Sequence, residues 1–154
     1  MKADFKVEGF LELDKVLSQL PAATAKGVVR RALKKELEPV ADMANAFWPG
    51  ADDKAFGIST KVKRGQRGPS LGRNVVNMFV GSTKAAPHAH LLEWGTEPRF
   101  HESGKYVGAV APTPMLTPAW DANKGAILKG LAASIRAEIE ATIRRKEARA
   151  ARGR

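Results

Sequence analysis

The last third of the chain carries the pattern that most restricts its fold. Trp120, Ile127, Leu128, Leu131, Ile135, Ile139 and Ile143 recur mainly at helical spacing. They form one apolar stripe over about seven turns of helix. Thr117 stands just before it, where a hydroxyl can accept a hydrogen bond from a free amide of the first turn. Pro118 suits the first helical position, where an N–H is not needed, and Asp121 suits the positive end of the helix dipole. A second stripe begins after Ala22 with Val29, Leu33, Leu37, Val40, Ala44 and Phe47, while Arg30, Arg31, Lys34, Lys35 and Glu38 lie largely off it. Pro39 sits inside this pattern and is expected to kink or split the helix, which ends at Trp48-Pro49-Gly50.

Between the long helices the period changes. Residues 5–10, FKVEGF, alternate weakly as a short strand, and residues 11–21 read as a short helix closed by Pro21. Residues 55–64 and 105–114 carry strand signals, and NVVNMFVGS at 74–82 is the best strand pattern in the chain. Residues 83–94 read as a proline-broken loop with a short helical turn. Helices outside a few central strands, without β-α-β alternation, predict an α+β fold. The expectation is a small, mostly antiparallel sheet packed with a long N-terminal helix and a long C-terminal helix. It occupies residues 1–143 as a single domain, followed by a basic tail at 144–154.

The 154 residues, 44% hydrophobic and 27% charged, suit one soluble globular domain. No apolar run approaches the roughly 20 residues of a membrane helix, and the N-terminal residues lack a signal-peptide pattern. Without cysteine there is no disulfide, thiolate zinc site or cysteine nucleophile. The net charge of +10 favours acidic partners, either nucleic acid or an acidic protein surface. It is concentrated in the tail and in a segment at 61–73, where Lys61, Lys63, Arg64, Arg67 and Arg73 occur without an acid. That segment is punctuated by Gly and Pro and reads as an exposed loop, either simply solvated or facing a partner, an acidic protein or nucleic acid. It lacks aromatic residues for stacking on single strands.

The chemistry-bearing residues gather in and after HLLEWGTEPRF, residues 90–100. His88 and His90, with Glu93, Glu97, His101 and Glu102 nearby, offer metal-ligand types, but without the fixed spacing of HExxH. A surface or interface role is the stronger reading. Glu93, set between Leu92 and Trp94, invites two readings. It could be a carboxylate with a raised pKa for acid–base work, or an acceptor for backbone amides around Gly95 or for an arginine of a neighbouring copy. The second accounts for the Gly-Thr that follows. No nucleophile-elbow serine, phosphate loop or dinucleotide fingerprint is present. The sequence therefore assigns no catalytic residue, cofactor or metal.

Two segments together resemble a known family. LLEWGT, then a variable loop, then PTPMLTPAW leading into the terminal helix is similar to the head–tail joining, or tail-completion, proteins of long-tailed bacteriophages. Glu93, Trp94, Gly95 and Thr96 match the corner, and Pro112, Pro114, Met115, Leu116, Pro118 and Ala119 match the proline arm, across a resemblance spanning roughly residues 5–145. Met115 stands where relatives have Phe, and PGADDKAFGIST where they carry Thr-Gly-x-Leu.

The resemblance implies a virion structural protein that assembles as a sixfold ring at the neck or head-proximal end of the tail. The particle would be a phage, a prophage product or a gene-transfer particle, assembled in the bacterial host cytoplasm. Implied partners are further copies of the chain, a portal-side adaptor or stopper, the tail terminator or tube, and non-specific contact with DNA, but no membrane. Gly95 would permit the turn, Trp94 anchor it in apolar surface, and Glu93 satisfy backbone or inter-subunit donors. The corner would launch a loop at 97–104, and the arm would plug the core or a neighbour with Met115 and Leu116. A basic nucleic-acid-binding protein is the alternative.

Overall fold

The computed structural model describes residues 10–50, 54–61 and 75–153. In chain order the elements are α1 (Phe10–Ser18), α2 (Ala22–Ala46), β1 (Phe56–Ser59), β2 (Phe79–Ser82), α3 (Ala89–Trp94), β3 (Thr96–Phe100), β4 (Tyr106–Val110) and α4 (Leu116–Arg152). Two long helices and small antiparallel sheets make this an α+β fold. The strands divide into two separate pairs, β1 with β2 and β3 with β4. The strand expected at 5–10 and the loop residues Lys63, Arg64, Arg67 and Arg73 lie outside the described residues; Lys61 is exposed just after β1.

The chain divides into two compact units. Among the described residues, one contains α1, α2 as far as Glu36, and α4 from Gly125 onward. Its core is Leu13, Val28, Ala32, Ala132, Ile135 and Ile139, flanked by Leu17 and Leu131. The buried face of α2 is displaced by one residue from the expected stripe. Val28 and Ala32 are fully buried, whereas Val29 and Leu33 are half-buried. Glu36 continues the Val28–Ala32 row by one further turn, and its carboxylate accepts a hydrogen bond from Ser134. Ala32 and Ala132 are small enough to bring backbones close, so the densest packing selects the alanine faces. On α4, Ile127, Ile135 and Ile139 keep their predicted burial, but Trp120, Leu128 and Ile143 are exposed.

Polar contacts rim this core. Arg31 Nε donates to Glu138 at 2.6 Å, Arg31 Nη2 to Thr142 at 2.9 Å, and Arg145 Nη2 to the same Glu138 at 3.2 Å. The Arg31 guanidinium, with Arg145 behind it, holds the Glu138 carboxyl below its ordinary pKa, against a smaller opposing effect of burial. Helix α4 does not stop at the apolar stripe: the basic segment expected as a tail is helical to Arg152.

The other unit comprises 37–62 and 79–124. Here the end of α2 buries Leu37, Val40, Ala41 and Ala44. Helix α2 is unbroken from Ala22 to Ala46, so the split expected at Pro39 does not occur. Pro39 lies on the exposed side, and buried residues before and after it hold the helix through the one missing N–H bond. Phe47, predicted in the stripe, is 50% exposed beyond the helix end. Asn45 docks β1: its amide group donates to the Phe56 carbonyl at 2.9 Å and its Oδ1 accepts from the Phe56 amide at 2.9 Å.

Strand β2 is shorter than the predicted 74–82 because its partner ends early. Pairing runs from Phe56↔Ser82 to Ser59↔Phe79. There the Ser59 hydroxyl takes both backbone groups of Lys61, accepting from its amide at 3.0 Å and donating to its carbonyl at 2.9 Å. Such local side-chain bonds compete with a strand ladder.

Truncating Ile135, only 3% exposed in this core, to Ala is expected to destabilise the protein by about 2–5 kcal/mol. Urea unfolding monitored by circular dichroism checks this.

Candidate functional site

The corner is built from a short helix, a glycine and two strands. Ala89 and Glu93, four residues apart on α3, share its buried face, and Glu93 is only 5% exposed. A carboxylate so placed must find donors. It finds them at the start of α4, where the first amides of a helix have no intrahelical partner. Met115 N and Leu116 N donate to Oε2 at 2.6 and 2.9 Å. Thr117 N and Thr117 Oγ1 donate to Oε1 at 2.9 and 2.7 Å. Burial pushes the Glu93 pKa up, but these four donors together outweigh it and hold the carboxyl below its ordinary value. The negative charge also faces the positive end of the α4 dipole.

The amide acceptor role foreseen for Glu93 is thus present, but its donors belong to the proline arm and α4 rather than to the Gly95 turn. Two helix-start assignments change with it. The Thr117 hydroxyl donates to Glu93 and does not cap α4, because α4 begins at Leu116 and Thr117 is already its second residue. Pro118 is the third residue of α4 rather than the first, still among the positions that need no N–H.

Gly95 makes the turn with φ 72° and ψ −179°, a region that is essentially glycine-only. A Cβ there would also lie 2.8 Å from the Val110 carbonyl and 2.9 Å from the Pro112 ring. Thr96 follows and accepts the Val110 amide on its hydroxyl at 3.0 Å. Thr113 N donates to Leu92 O at 2.7 Å, tying the arm back to α3. The corner therefore gathers Glu93, Gly95, Thr96, Pro112, Met115 and Leu116 around one joint. Met115 is 1% exposed and fills the core, and Leu116 is half-buried. Pro114 and Pro118 are exposed and stiffen the backbone from outside.

Trp94 departs from its expected role. It is 75% exposed and does not anchor the turn within the chain. Glu93 and Trp94 are adjacent on α3, about 100° apart around the helix, so burying the first turns the second outward. The segment expected as a loop at 97–104 instead forms β3 and a tight turn. Thr96 pairs with Val110, Arg99 with Gly108 and Phe100 with Tyr106, with register shifts on either side of Arg99. Pro98 lies within the first irregular stretch, where a missing N–H is tolerated. Gly104, with φ 77°, closes the turn by donating its amide to His101 O at 2.8 Å.

The histidines take separate local roles. The His88 ring lies 5.7 Å from that of Trp48, His90 Nδ1 is 2.8 Å from Pro87 O, and His101 Nδ1 contacts Ser103 Oγ. No group of three His, Cys, Asp or Glu side chains positioned for a metal occurs among the described residues. Both Glu93 oxygens are occupied by donors, and an ionised carboxylate with a lowered pKa is a weak proton acceptor. What the corner can do is mechanical: it fixes α3, the β3–β4 pair and the start of α4 as one joint. No protein-family model, curated protein or solved structure matches this chain.

Because the Glu93 pKa is lower folded than unfolded, its contribution to stability is complete above the unfolded value of about 4.5 and is lost as pH falls through the folded value. Glu93→Gln is expected to cost about 2–4 kcal/mol at neutral pH, since the amide NH2 would face backbone donors. It should also flatten the acid limb of the stability curve. Denaturant titrations from neutral pH into the acid range measure both effects.

Proposed function

We propose that this protein is a virion structural component that forms a ring at the neck or head-proximal end of a phage tail and joins or completes that tail. The observation that carries the reading is the exposed aromatic pair Phe100 and Tyr106 on β3 and β4, with further large apolar side chains exposed on the same unit. Trp94, Phe100, Tyr106, Val107 and Trp120 are 75%, 64%, 57%, 62% and 45% exposed. The Phe100 and Tyr106 rings meet at a tilt of 58° with centroids 5.5 Å apart on a two-stranded sheet. An isolated two-stranded sheet is marginal in water, and large exposed apolar side chains signal an interaction surface. Further copies of the chain are the occupants that a ring requires. Glu93 and Gly95 fix the direction of this surface, as a closed ring demands of each subunit.

The resemblance of the corner and proline arm to tail-completion proteins supplies the biological setting. The partners are then other copies in the ring, the portal-side adaptor or stopper, and the tail terminator or tube. The proposed location is the assembled particle, with assembly in the host cytoplasm. No bond is made or broken in this reading; apolar burial between copies drives closure.

Electron microscopy of particles from a producer strain lacking this gene tests the proposal. The expected result is filled heads with unattached tails, or tails of irregular length. Wild-type protein should restore joining, and a Phe100→Glu/Tyr106→Glu variant should not. Normal, fully joined, infectious particles in its absence would overturn the proposal.

A further inference from the structure

The unit formed by α1, the first part of α2 and the latter part of α4 carries a feature that the neck proposal does not use. Beside the first turns of α2 runs an open groove of about 290 Å³. Ala23 and Gly27 make one wall small, and Arg31, Arg145, Lys146 and Arg149 line it. We infer that this groove binds the phosphodiester backbone of double-stranded DNA, independently of sequence. The inference does not rest on the neck assignment.

Charge is the first support. Residues 144–154 contain six cations and one acid, a net +5 that is half of the chain's +10. Helix α4 keeps those residues through Arg152 in regular order. Arg145, Arg149 and Arg152 recur at i, i+4 and i+7, so they share one face of α4, spaced by about 6 and 4.5 Å along its axis. Glu147, the acid of this segment, is two residues from both Arg145 and Arg149, more than half a turn away, so it does not face the same side.

Preorganisation is the second support. Glu138 holds Arg31 and Arg145 together at the head of the groove. Its one negative charge leaves the three with a net +1. Lys146 and Arg149 have no ion-pair partner among the described residues and add two further charges. A phosphate entering here meets two arginines held in place by Glu138 and two cations without an ion-pair partner beside them.

The composition selects the occupant. From residue 144 to residue 152 no apolar side chain is larger than alanine. A protein partner would find no apolar core for an interface there, and single-stranded nucleic acid no aromatic ring to stack on. A duplex backbone needs only correctly spaced charge.

Fluorescence anisotropy with a labelled mixed-sequence DNA duplex, titrated with the full chain between about 50 and 200 mM salt, tests the inference. Lys146→Gln/Arg149→Gln is expected to reduce the slope of log affinity against log salt by about 1.8 and to weaken binding about tenfold or more. Lys84→Gln/Lys105→Gln removes the same charge from exposed positions elsewhere and should leave the slope nearly unchanged. Equal slope loss in both variants would assign the binding to net charge and overturn the groove. Binding to polyglutamate as tight as to the duplex would assign the groove to an acidic protein surface and overturn the DNA reading. Circular dichroism of each variant confirms that α4 persists.

Discussion

Glu93 sets two carboxylate oxygens against three amides that the start of α4 would otherwise leave bare. The rest of the corner depends on that contact. It spans 22 to 24 residues of sequence and closes the path from α3 through β3 and β4 back to α4. Hydrogen bonds to a charged acceptor contribute about 1.5–3 kcal/mol each, while an exposed ion pair contributes about 0–1 kcal/mol. The Lys124–Asp121 pair, with both side chains more than half exposed, is of the second kind. Gly95 then makes the connection sterically feasible, because the carbonyl of Val110 and the ring of Pro112 occupy the space of a side chain.

Much of the architecture was legible as periodicity. Both long helices, α1 and the α+β class follow from spacings of three and four and from the change of period between them. Which face of each helix is buried was less legible. The stripe reading counts large apolar residues, whereas packing in one unit chose Ala32 and Ala132, whose small side chains allow close backbone approach. Strand β3 left no signal because Thr96-Glu-Pro-Arg-Phe is polar, contains proline and is exposed at every position after the first. It is a strand by virtue of pairing with β4, not of its own propensity.

The candidate site divides in the same way. Adjacent residues placed Glu93 and Gly95 in one corner and offered amide acceptance as one reading of Glu93. Local sequence could not identify donors more than twenty residues away, nor show that burying Glu93 turns Trp94 toward solvent. The Arg31–Glu138–Arg145 cluster was equally hidden, since its members are separated by 107 residues on one side and 7 on the other. The two proposed surfaces are physically unlike. One is aromatic and calls for apolar burial between copies; the other is cationic and calls for a polyanion.

The most direct test of the account is an NMR titration of the backbone amides of Met115, Leu116 and Thr117 from neutral to acid pH. All three amides are expected to be shifted downfield at neutral pH. They should move together in a single transition with an apparent pKa below about 4.5, and Glu93→Gln should abolish that transition. Amides that titrate independently, or that are unaffected by Glu93→Gln, would contradict the central role of the carboxylate.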